Sequence, residues 1–274
     1  MTARPYSYLM ESDEEITRLE IKTDPEAVRR QARWCGVGPG LRVMDVGCGP
    51  GKTTDILSRM IQPQGEILGV DYSEARIAYA KDRYRHVPNM DFLVGDLRDP
   101  LEGVGQFDLI WVRFVLEYNL AESATIVRNL TSCLKPEGCL CLLDLDNNCL
   151  SHYEMPAGIG EILQAIMGAL ERDFNFDPFA GRKLYAYLYD LDFREIQVEM
   201  VAHHLFYGNN MKDEERFNWM KKFEVGIPKM PEILDKYPGG IESLRADFSR
   251  FFQDPRRFTY TPLILCKGRK PQAG

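Results

Sequence analysis

The sequence predicts an α/β protein built on a doubly wound, mostly parallel sheet of seven strands. Short apolar runs alternate with segments of helical periodicity through residues 37–206, and this alternation is typical of βαβ units. The apolar runs carry few polar residues, which indicates strands covered by helices on both faces of the sheet. In such a sheet, ligands bind beyond the carboxyl ends of the strands.

Five of the predicted strands lie in the first half of the chain. They are LRVMDVG, GEILGVDY, MDFLVGD, FDLIWVRF and GCLCLLDLD. Helices are predicted between them in KTTDILSRMI, SEARIAYAKDRY and AESATIVRNLTSCL. FREIQVEMVAHHLF and FTYTPLILCKGR are predicted to complete the sheet as its sixth and seventh strands.

The remaining segments predict a helical cap and a helical insertion around this core. The cap is expected over 1–36, where residues 13–34 have a helical pattern that Pro25 divides into two helices. The core is expected over 37–206, a helical insertion over 207–255, and the closing strand with a short tail over 256–274. The insertion is rich in aromatic residues, which are expected either to form an apolar lid or to pack the insertion's own core.

Composition favours a small-molecule partner. The chain has 274 residues and a net charge of −7, a poor match for nucleic acid, whose binding relies on Lys and Arg contacts to phosphate. No apolar run approaches the ~20 residues of a membrane span, and the N-terminus MTARPYSYLMESDEE lacks the apolar segment of a secretory signal. The 7 cysteines are scattered without a CxxC pair, which is typical of reduced thiols. We therefore expect a cytoplasmic monomer or homodimer, with no nucleic-acid partner, membrane partner or metal site.

The loop in VMDVGCGPGKTT allows three interpretations. A P-loop requires G-x-x-x-x-G-K-[ST], but Val46 stands where its first glycine belongs. A dinucleotide fingerprint requires G-x-G-x-x-G, whereas the third glycine of Gly47, Gly49 and Gly51 comes one residue early. Neither pattern explains Asp45, which stands two residues before the first glycine.

An apolar strand, an acid, G-x-G-x-G and then a helix together resemble motif I of the class I S-adenosylmethionine-dependent methyltransferases. The resemblance implies that Asp45 attracts the α-ammonium of the cofactor, directly or through water. It also implies that the backbone of Gly47, Cys48 and Gly49 lies close to the amino-acid tail and ribose. Asp71, which ends the second strand, is then expected to accept hydrogen bonds from both ribose hydroxyls.

Later motifs extend the resemblance over residues 37–146. In VGDLRD, Asp96 is expected at the adenine amino group and Leu97 against the ring, with Tyr72 over the opposite ring face. Val112, Arg113 and Phe114, which end the fourth strand, are expected beside the methionine part of the cofactor. The turn LKPEGCLCLLD and the segment LDFREIQV are similar to later family motifs, although Glu137 and Asp192 replace glycines there.

The N-terminal stretch YSYLMESDEEITRLE resembles a segment of some small-molecule members of the family. That match implies Tyr8 near the sulfonium and Arg18 near the carboxylate of the cofactor. The alternative is that Tyr8 packs in the core and that Arg18 forms a surface salt bridge.

The expected activity is transfer of a methyl group from S-adenosylmethionine to a small molecule by in-line displacement, in which orientation is the main task of the protein. No catalytic residue is assigned, because a base is needed only when the acceptor must lose a proton. Arg113, Glu117, Tyr118, His152 and Tyr153 are candidates by position alone. Aminopropyl transfer, cofactor sensing and a P-loop NTP-binding enzyme remain alternatives.

Three side chains near these motifs are expected to have a role in the fold and not in ligand binding. Lys52 and Thr53 are expected to be solvated or to cap an ordinary helix. His203 is expected to face the opposite side of its strand from the next residue, so that at most one of the two histidines faces the site.

Overall fold

The sheet has the predicted doubly wound architecture. The computed structural model describes residues 15–212, 215, 219, 230–234 and 237–272. Its strands are β1 Arg42–Val46, β2 Glu66–Asp71, β3 Met90–Val94, β4 Phe107–Arg113, β5 Leu134–Leu145, β6 His152–Tyr153, β7 Arg194–Tyr207 and β8 Phe258–Arg269.

Helices cover both faces of this sheet. They are α1 Glu15–Lys22, α2 Pro25–Cys35, α3 Lys52–Met60, α4 Glu74–Tyr84, α5 Ser123–Ser132, α6 Ala157–Phe174, α7 Leu184–Tyr189, α8 Pro231–Leu234 and α9 Gly240–Gln253. Two 3₁₀ helices span Leu116–Tyr118 and Ala180–Lys183. In the described part of the chain, none of the helices has both the length and the apolarity to cross a membrane.

The boundaries of α2 follow from its sequence. The Asp24 carboxylate accepts hydrogen bonds from the amides of Glu26 and Ala27, and Pro25 occupies the first turn, where its missing N–H costs nothing. The helix ends at Gly36, whose φ of 92° lies in the left-handed region. The predicted division of the N-terminal helices at Pro25 is therefore confirmed.

The order of the strands in the sheet determines where the site lies. β1 lies between β2 and β4, and β3, β2, β1, β4 and β5 form parallel neighbours. The chain leaves β1 first toward β2 and β3 and later returns on the other side to β4. This reversal of strand order opens a crevice at the carboxyl ends of β1 and β4.

The other end of the sheet is antiparallel. β8 pairs along one side with β5 and along the other with β7. The short β6 also pairs with β8, beyond the point where β5 ends, so the sheet is seven strands wide although it has eight strands. Seven strands were predicted, and β6 is the addition.

Four apolar clusters hold these layers together, and the smallest of them packs Ile77 of α4 with Phe92 of β3. One lies between the sheet and α5 with α7 and includes Ile110 and Leu140. A second, on the opposite face, packs Leu57 of α3 against Trp111 of β4. Burial on both faces of β1, β4 and β5 explains their nearly uninterrupted apolar sequences.

The third cluster, which we call the insertion's core, joins the predicted insertion to α6, a helix outside the 207–255 bounds. Side chains of α6 and α9 pack there around Phe206, Trp219 and Phe248, all of which are buried. The aromatic residues described in this region therefore mainly pack against one another.

Candidate functional site

A cleft lies above the carboxyl ends of β1, β2 and β4 and is bounded by the end of α1. Its volume is about 910 Å³, including the space open to solvent, which is in the range of small-molecule sites. Its lining residues are Leu19, Lys22, Thr23, Gly47, Cys48, Gly49, Pro50, Lys52, Thr53, Asp71, Tyr72, Arg76, Leu97, Arg113, Phe114, Val115, Tyr118 and Asn119.

The glycine loop forms one wall of this cleft. The amides of Gly47 and Cys48 both donate to the carbonyl oxygen of Val70, at 2.8 and 3.1 Å, and so fasten the loop to the end of β2. Gly47 has a φ of 69°, and a Cβ there would lie 2.4 Å from Val115 Cγ2. The backbone therefore approaches the cleft in a way that only glycine permits at this position.

Asp71 lies beside the glycine loop, at the end of β2. Its Oδ2 accepts from the amide of Gly49 at 3.0 Å, and its Oδ1 accepts from the amide of Ser73 at 2.9 Å. Arg76 Nε, also buried, lies 3.2 Å from Oδ1, and its guanidinium lies 4.9 Å from the ring centre of Tyr72. These bonds hold a carboxylate and an aromatic ring side by side at the cleft.

Asp45 lies beneath the loop and is not among the cleft-lining residues. Its Oδ2 accepts from Thr54 Oγ1 of α3 at 2.7 Å, and the residue is 2% exposed. Burial raises the pKa of Asp45 to about 7, against the opposing effect of the Thr54 hydrogen bond and the charge of Arg113. The side chain faces α3, and the predicted interaction with a ligand ammonium, directly or through water, stays a prediction.

The end of β4 supplies a cation and a ring. Arg113 Nε donates to Gln31 Oε1 of α2 at 3.0 Å, and its guanidinium lies 4.0 Å from the ring centre of Phe114. Burial lowers the pKa of Arg113 to about 10, although the charge of Asp45 opposes this shift. Phe114 has a φ of 58°, a strained conformation for a residue with a Cβ and one that clusters at functional sites. Val112 is buried within the strand and does not reach the cleft.

The loop after β3 contributes a different residue from the acid that the motif predicted. The carboxylate of Asp96 is held by Arg98, with Nη2 to Oδ2 at 2.6 Å and Nε to Oδ1 at 3.0 Å, and it does not line the cleft. Leu97 does line it. The side chain next to Asp96 therefore presents an apolar surface at the place expected for a ring.

The N-terminal helix reaches the cleft through other residues than the expected ones. Leu19 and Lys22 of α1 line it, whereas Arg18 is not among the described lining residues and pairs with Glu15 at 2.6 Å. Arg18 is 7% exposed, so the alternative prediction of a salt bridge at the surface is wrong, because the pair is buried. Tyr8 lies outside the described residues.

Several cleft residues were not predicted. Lys52 was expected to be solvated, but it lines the cleft and its Nζ donates to the carbonyl oxygen of Glu20 in α1. Thr53, Arg76 and Asn119 also line the cleft. Only the position of Lys52, directly after the glycine loop and at the start of α3, gave a sequence signal for this placement.

Two of the candidate catalytic residues, Glu117 and Tyr118, lie on the 3₁₀ helix after β4, but only one of them lines the cleft. Asp144 Oδ2 accepts from the amides of Leu116 and Glu117, at 2.8 and 3.2 Å, and so fixes the start of that helix. Burial, together with the nearby Glu117 carboxylate, raises the pKa of Asp144. Glu117 is buried away from the cleft, whereas Tyr118 lines it and packs edge-on against Phe176 at 5.4 Å.

His152 and Tyr153 lie away from the cleft. One nitrogen of His152 lies 3.0 Å from the carbonyl oxygen of Cys149, and the other lies 2.9 Å from Thr259 Oγ1. The ring packs edge-on against Phe251, and burial lowers the pKa of His152. Tyr153 is 58% exposed. Neither side chain is placed to meet a ligand in the cleft.

The histidine pair in β7 differs from the prediction. The pairing register with β8 shifts between Ala202 and His204, so a β-bulge adds a residue at His203. As a result the two histidine rings lie 4.2 Å apart instead of on opposite faces, and the expectation of alternation is wrong. The ring of His203 also meets Phe114 at 5.0 Å, which connects the strand to the cleft wall.

Comparison with known proteins agrees with this geometry. Residues 43–138 match a family of methyltransferase domains. The chain is 30% identical over 189 residues to a 2-phytyl-1,4-naphtoquinone methyltransferase of Synechococcus elongatus, an alignment that covers 56% of this chain and 81% of that protein. It is 28% identical over 144 residues to a demethylmenaquinone methyltransferase of Staphylococcus aureus, covering 52% of this chain and 59% of that protein.

A solved structure supports the fold. The YcgJ protein of Bacillus subtilis superposes with a TM-score of 0.59 at 16% identity, over 91% of this chain and 100% of that one. This likeness bears on the fold alone. The glycine loop and the carboxylate at the end of β2 fit the same family as the first relative. The alignment with that relative covers 81% of its length. The chain belongs to the class I S-adenosylmethionine-dependent methyltransferases, and it is an enzyme that uses this cofactor to methylate a small-molecule acceptor.

Proposed function

We propose that the cleft binds the adenosine part of S-adenosylmethionine between Asp71, Tyr72 and Leu97. The observation that carries this assignment is Asp71, which is held beside the glycine loop by the amides of Gly49 and Ser73. A carboxylate offers about four acceptor sites, and the described bonds occupy three, so one ribose hydroxyl takes a free site. Tyr72 and Leu97 supply surfaces for the adenine ring.

The methionine part of the cofactor then extends toward the end of β4. Arg113 is the cation that meets its carboxylate, and Gly47 and Gly49 present backbone to its chain. Asp45 lies below the loop, where it attracts the ammonium from a buried position. When bound, the cofactor supplies an electrophilic methyl group on a sulfonium.

Calorimetric titration with S-adenosylhomocysteine tests this arrangement. Asp71→Ala removes a charged hydrogen-bond partner, which is worth about 1.5–3 kcal/mol, so binding weakens by roughly 10- to 150-fold. Asp82→Ala is the matched control, because that carboxylate is 81% exposed on α4. Equal affinity in the Asp71 variant and the parent would show that the ribose lies elsewhere.

We also propose that the acceptor is an apolar ring compound of the naphthoquinone class, in its reduced form. The names of the two relatives support this choice, since both act on quinones. In this chain, Phe114, Val115 and Tyr118 form an apolar end of the cleft, and Tyr118 continues into the insertion's core through Phe176. An electron-rich ring carbon attacks the methyl group, the carbon–sulfur bond breaks, and the ring carbon loses its proton to solvent.

Product analysis by mass spectrometry distinguishes this acceptor from polar ones. With S-adenosylmethionine, reduced 1,4-naphthoquinone is expected to gain one methyl group, whereas phosphoethanolamine stays unchanged. Tight binding of S-adenosylhomocysteine without turnover of any quinol would contradict the acceptor and leave the cofactor site intact.

The division of the chain into a cap, core, insertion and closing strand at 37, 207 and 256 is part of the same proposal, with the insertion as the substrate lid. A cytoplasmic location is proposed as well. It is supported by the 7 cysteines, all of which are free thiols.

A further inference from the structure

Large apolar side chains are exposed mainly on one surface of the molecule, at the β7 edge of the sheet. Six of them belong to a single face of two neighbouring strands, which we name the β7–β8 apolar face. It consists of Val198, Met200, Leu205, Tyr207, Phe258 and Tyr260. Tyr153 of β6 extends it on the far side of β8.

Strand register places these side chains together. Tyr207 lies opposite Phe258, and Leu205 lies opposite Tyr260. The rings of Phe258 and Tyr260 are 5.8 Å apart, two residues along the same strand. Since Tyr153 also lies opposite Phe258, three aromatic side chains form a row across β6, β8 and β7.

The bulge at His203 keeps the face apolar over its whole length. Before the bulge, Val198 and Met200 lie opposite Cys266 and Ile264, on the same side of β8 as Tyr260. The added residue shifts the phase of β7 by one. Without it, histidine would replace leucine on this face. The bulge therefore places Leu205 and Tyr207 on the same side of β7 as Val198 and Met200.

The exposed area is large for a monomer. Met200 is 68% exposed, Tyr207 55% and Val198 52%. Taking roughly 150–250 Å² for each large side chain and these exposed fractions, the face and Tyr153 expose about 700 Å², with backbone and tyrosine hydroxyl groups included. The largest apolar patch of a monomer is about 300–600 Å², and each partner of a standard protein interface buries about 800 Å². The area is thus close to one side of a stable dimer.

Charge argues against a lipid surface as the occupant. Anionic membranes attract clusters of Lys and Arg, whereas this chain carries a net charge of −7. Adjoining residues along the chain include Glu154 and Glu199, and Arg256 is already paired with Glu154 at 2.7 Å. The six side chains of the face carry no charge, so a second copy can pack against them without burying a charged group.

We propose that two copies of this chain form a symmetric dimer by packing their β7–β8 apolar faces together. In such an interface the same patch serves both subunits. Among the described residues, β7 has no strand partner on its outer edge, so the face is accessible. None of its six residues is a described lining residue of the cofactor cleft, so both clefts stay open.

Sedimentation equilibrium of the full chain at about 1–100 µM tests the proposal. The parent is expected at twice its mass of 31.5 kDa. Met200→Glu and Tyr207→Glu each bury an unpaired charge in the dimer, which weakens association by at least about 30-fold. Leu93→Glu is the matched control, because Leu93 is 37% exposed on β3, at the opposite edge of the sheet.

Circular dichroism and retained binding of S-adenosylhomocysteine show that the variants fold. A parent that is monomeric at 100 µM overturns the proposal, and so does a dimer that both variants leave intact. Vesicles of phosphatidylcholine test whether the face binds a lipid bilayer instead. Binding of a monomeric parent to them, lost in Met200→Glu, assigns the face to a bilayer and also overturns the proposal.

Discussion

The Cα of Gly47 faces Val115 so closely that a Cβ added there would lie 2.4 Å from Val115 Cγ2. Gly47→Ala therefore combines a clash of about 1–3 kcal/mol with a cost of about 1–2 kcal/mol for a left-handed φ, so the free energy of unfolding falls by about 2–5 kcal/mol. Urea denaturation measures this loss. Gly38→Ala is the control, because a Cβ there meets nothing within 4 Å. Equal stability of the two variants would mean that the loop relaxes away from Val115.

Asp45 should make stability depend on pH. Its pKa is raised from 3.8 to about 7 in the fold, so between these values the folded state binds more protons than the unfolded chain. Stability from this group is present at low pH and is lost as pH rises toward 7. Asp45→Asn keeps an acceptor for Thr54 and removes the titration. Between pH 5 and 7, the parent should lose about 2–3 kcal/mol relative to the variant, as measured by urea denaturation at each pH.

A difference between the two proteins that is constant over that pH range would contradict the raised pKa. Asp91→Asn serves as the control, since that residue is exposed on β3. Its stability should follow the parent at every pH.

The sheet and the glycine loop could be predicted because they depend on local patterns. Alternating apolar runs and helical segments predict the strand–helix order, and the glycine spacing with an acid at the end of β2 marks the cleft. The side chain of Asp45 could not be oriented in this way. A strand buried on both faces has no polar alternation to show which way each residue points.

Contacts between residues that are brought together only by the fold could not be predicted from the sequence either. Arg76 lies one turn into α4 and reaches Asp71 only after the chain reverses at Ser73. Arg18 shares one face of α1 with Leu19 and Lys22. Its guanidinium nevertheless pairs with Glu15, while those two side chains line the cleft, and spacing along the helix does not distinguish the two roles. The bulge at His203 is set by pairing with β8, which the sequence of β7 alone does not encode.

Arg113 should recognise the amino-acid end of the cofactor and not its nucleoside. Arg113→Gln removes a charge-assisted hydrogen bond to the carboxylate, so S-adenosylhomocysteine should bind roughly 10- to 150-fold more weakly. 5′-Methylthioadenosine lacks the carboxylate and the ammonium, and its affinity should not change. Calorimetry with both ligands measures the difference. Arg85→Gln, on the surface of α4, should change neither value, because its side chain is 74% exposed.

A loss of affinity for both ligands in Arg113→Gln would indicate a general disturbance of the cleft. The contact of Arg113 with Gln31 provides the check, since Gln31→Ala removes the support and retains the charge. That variant should lose less affinity for S-adenosylhomocysteine than Arg113→Gln.

Tyr118 connects the cofactor cleft to the insertion, and its ring should position the acceptor. Tyr118→Ala removes the edge-on contact with Phe176 and leaves a gap where the acceptor ring would rest. We expect the acceptor KM to rise at least tenfold, which corresponds to about 1.4 kcal/mol, with little change in cofactor affinity. Tyr118→Phe keeps the ring and should restore the KM, so steady-state kinetics on the two variants separate packing from the hydroxyl group. If Tyr118→Phe is as impaired as Tyr118→Ala, the hydroxyl group contacts the acceptor. If Tyr118→Ala weakens the cofactor and the acceptor equally, the ring supports the whole cleft instead.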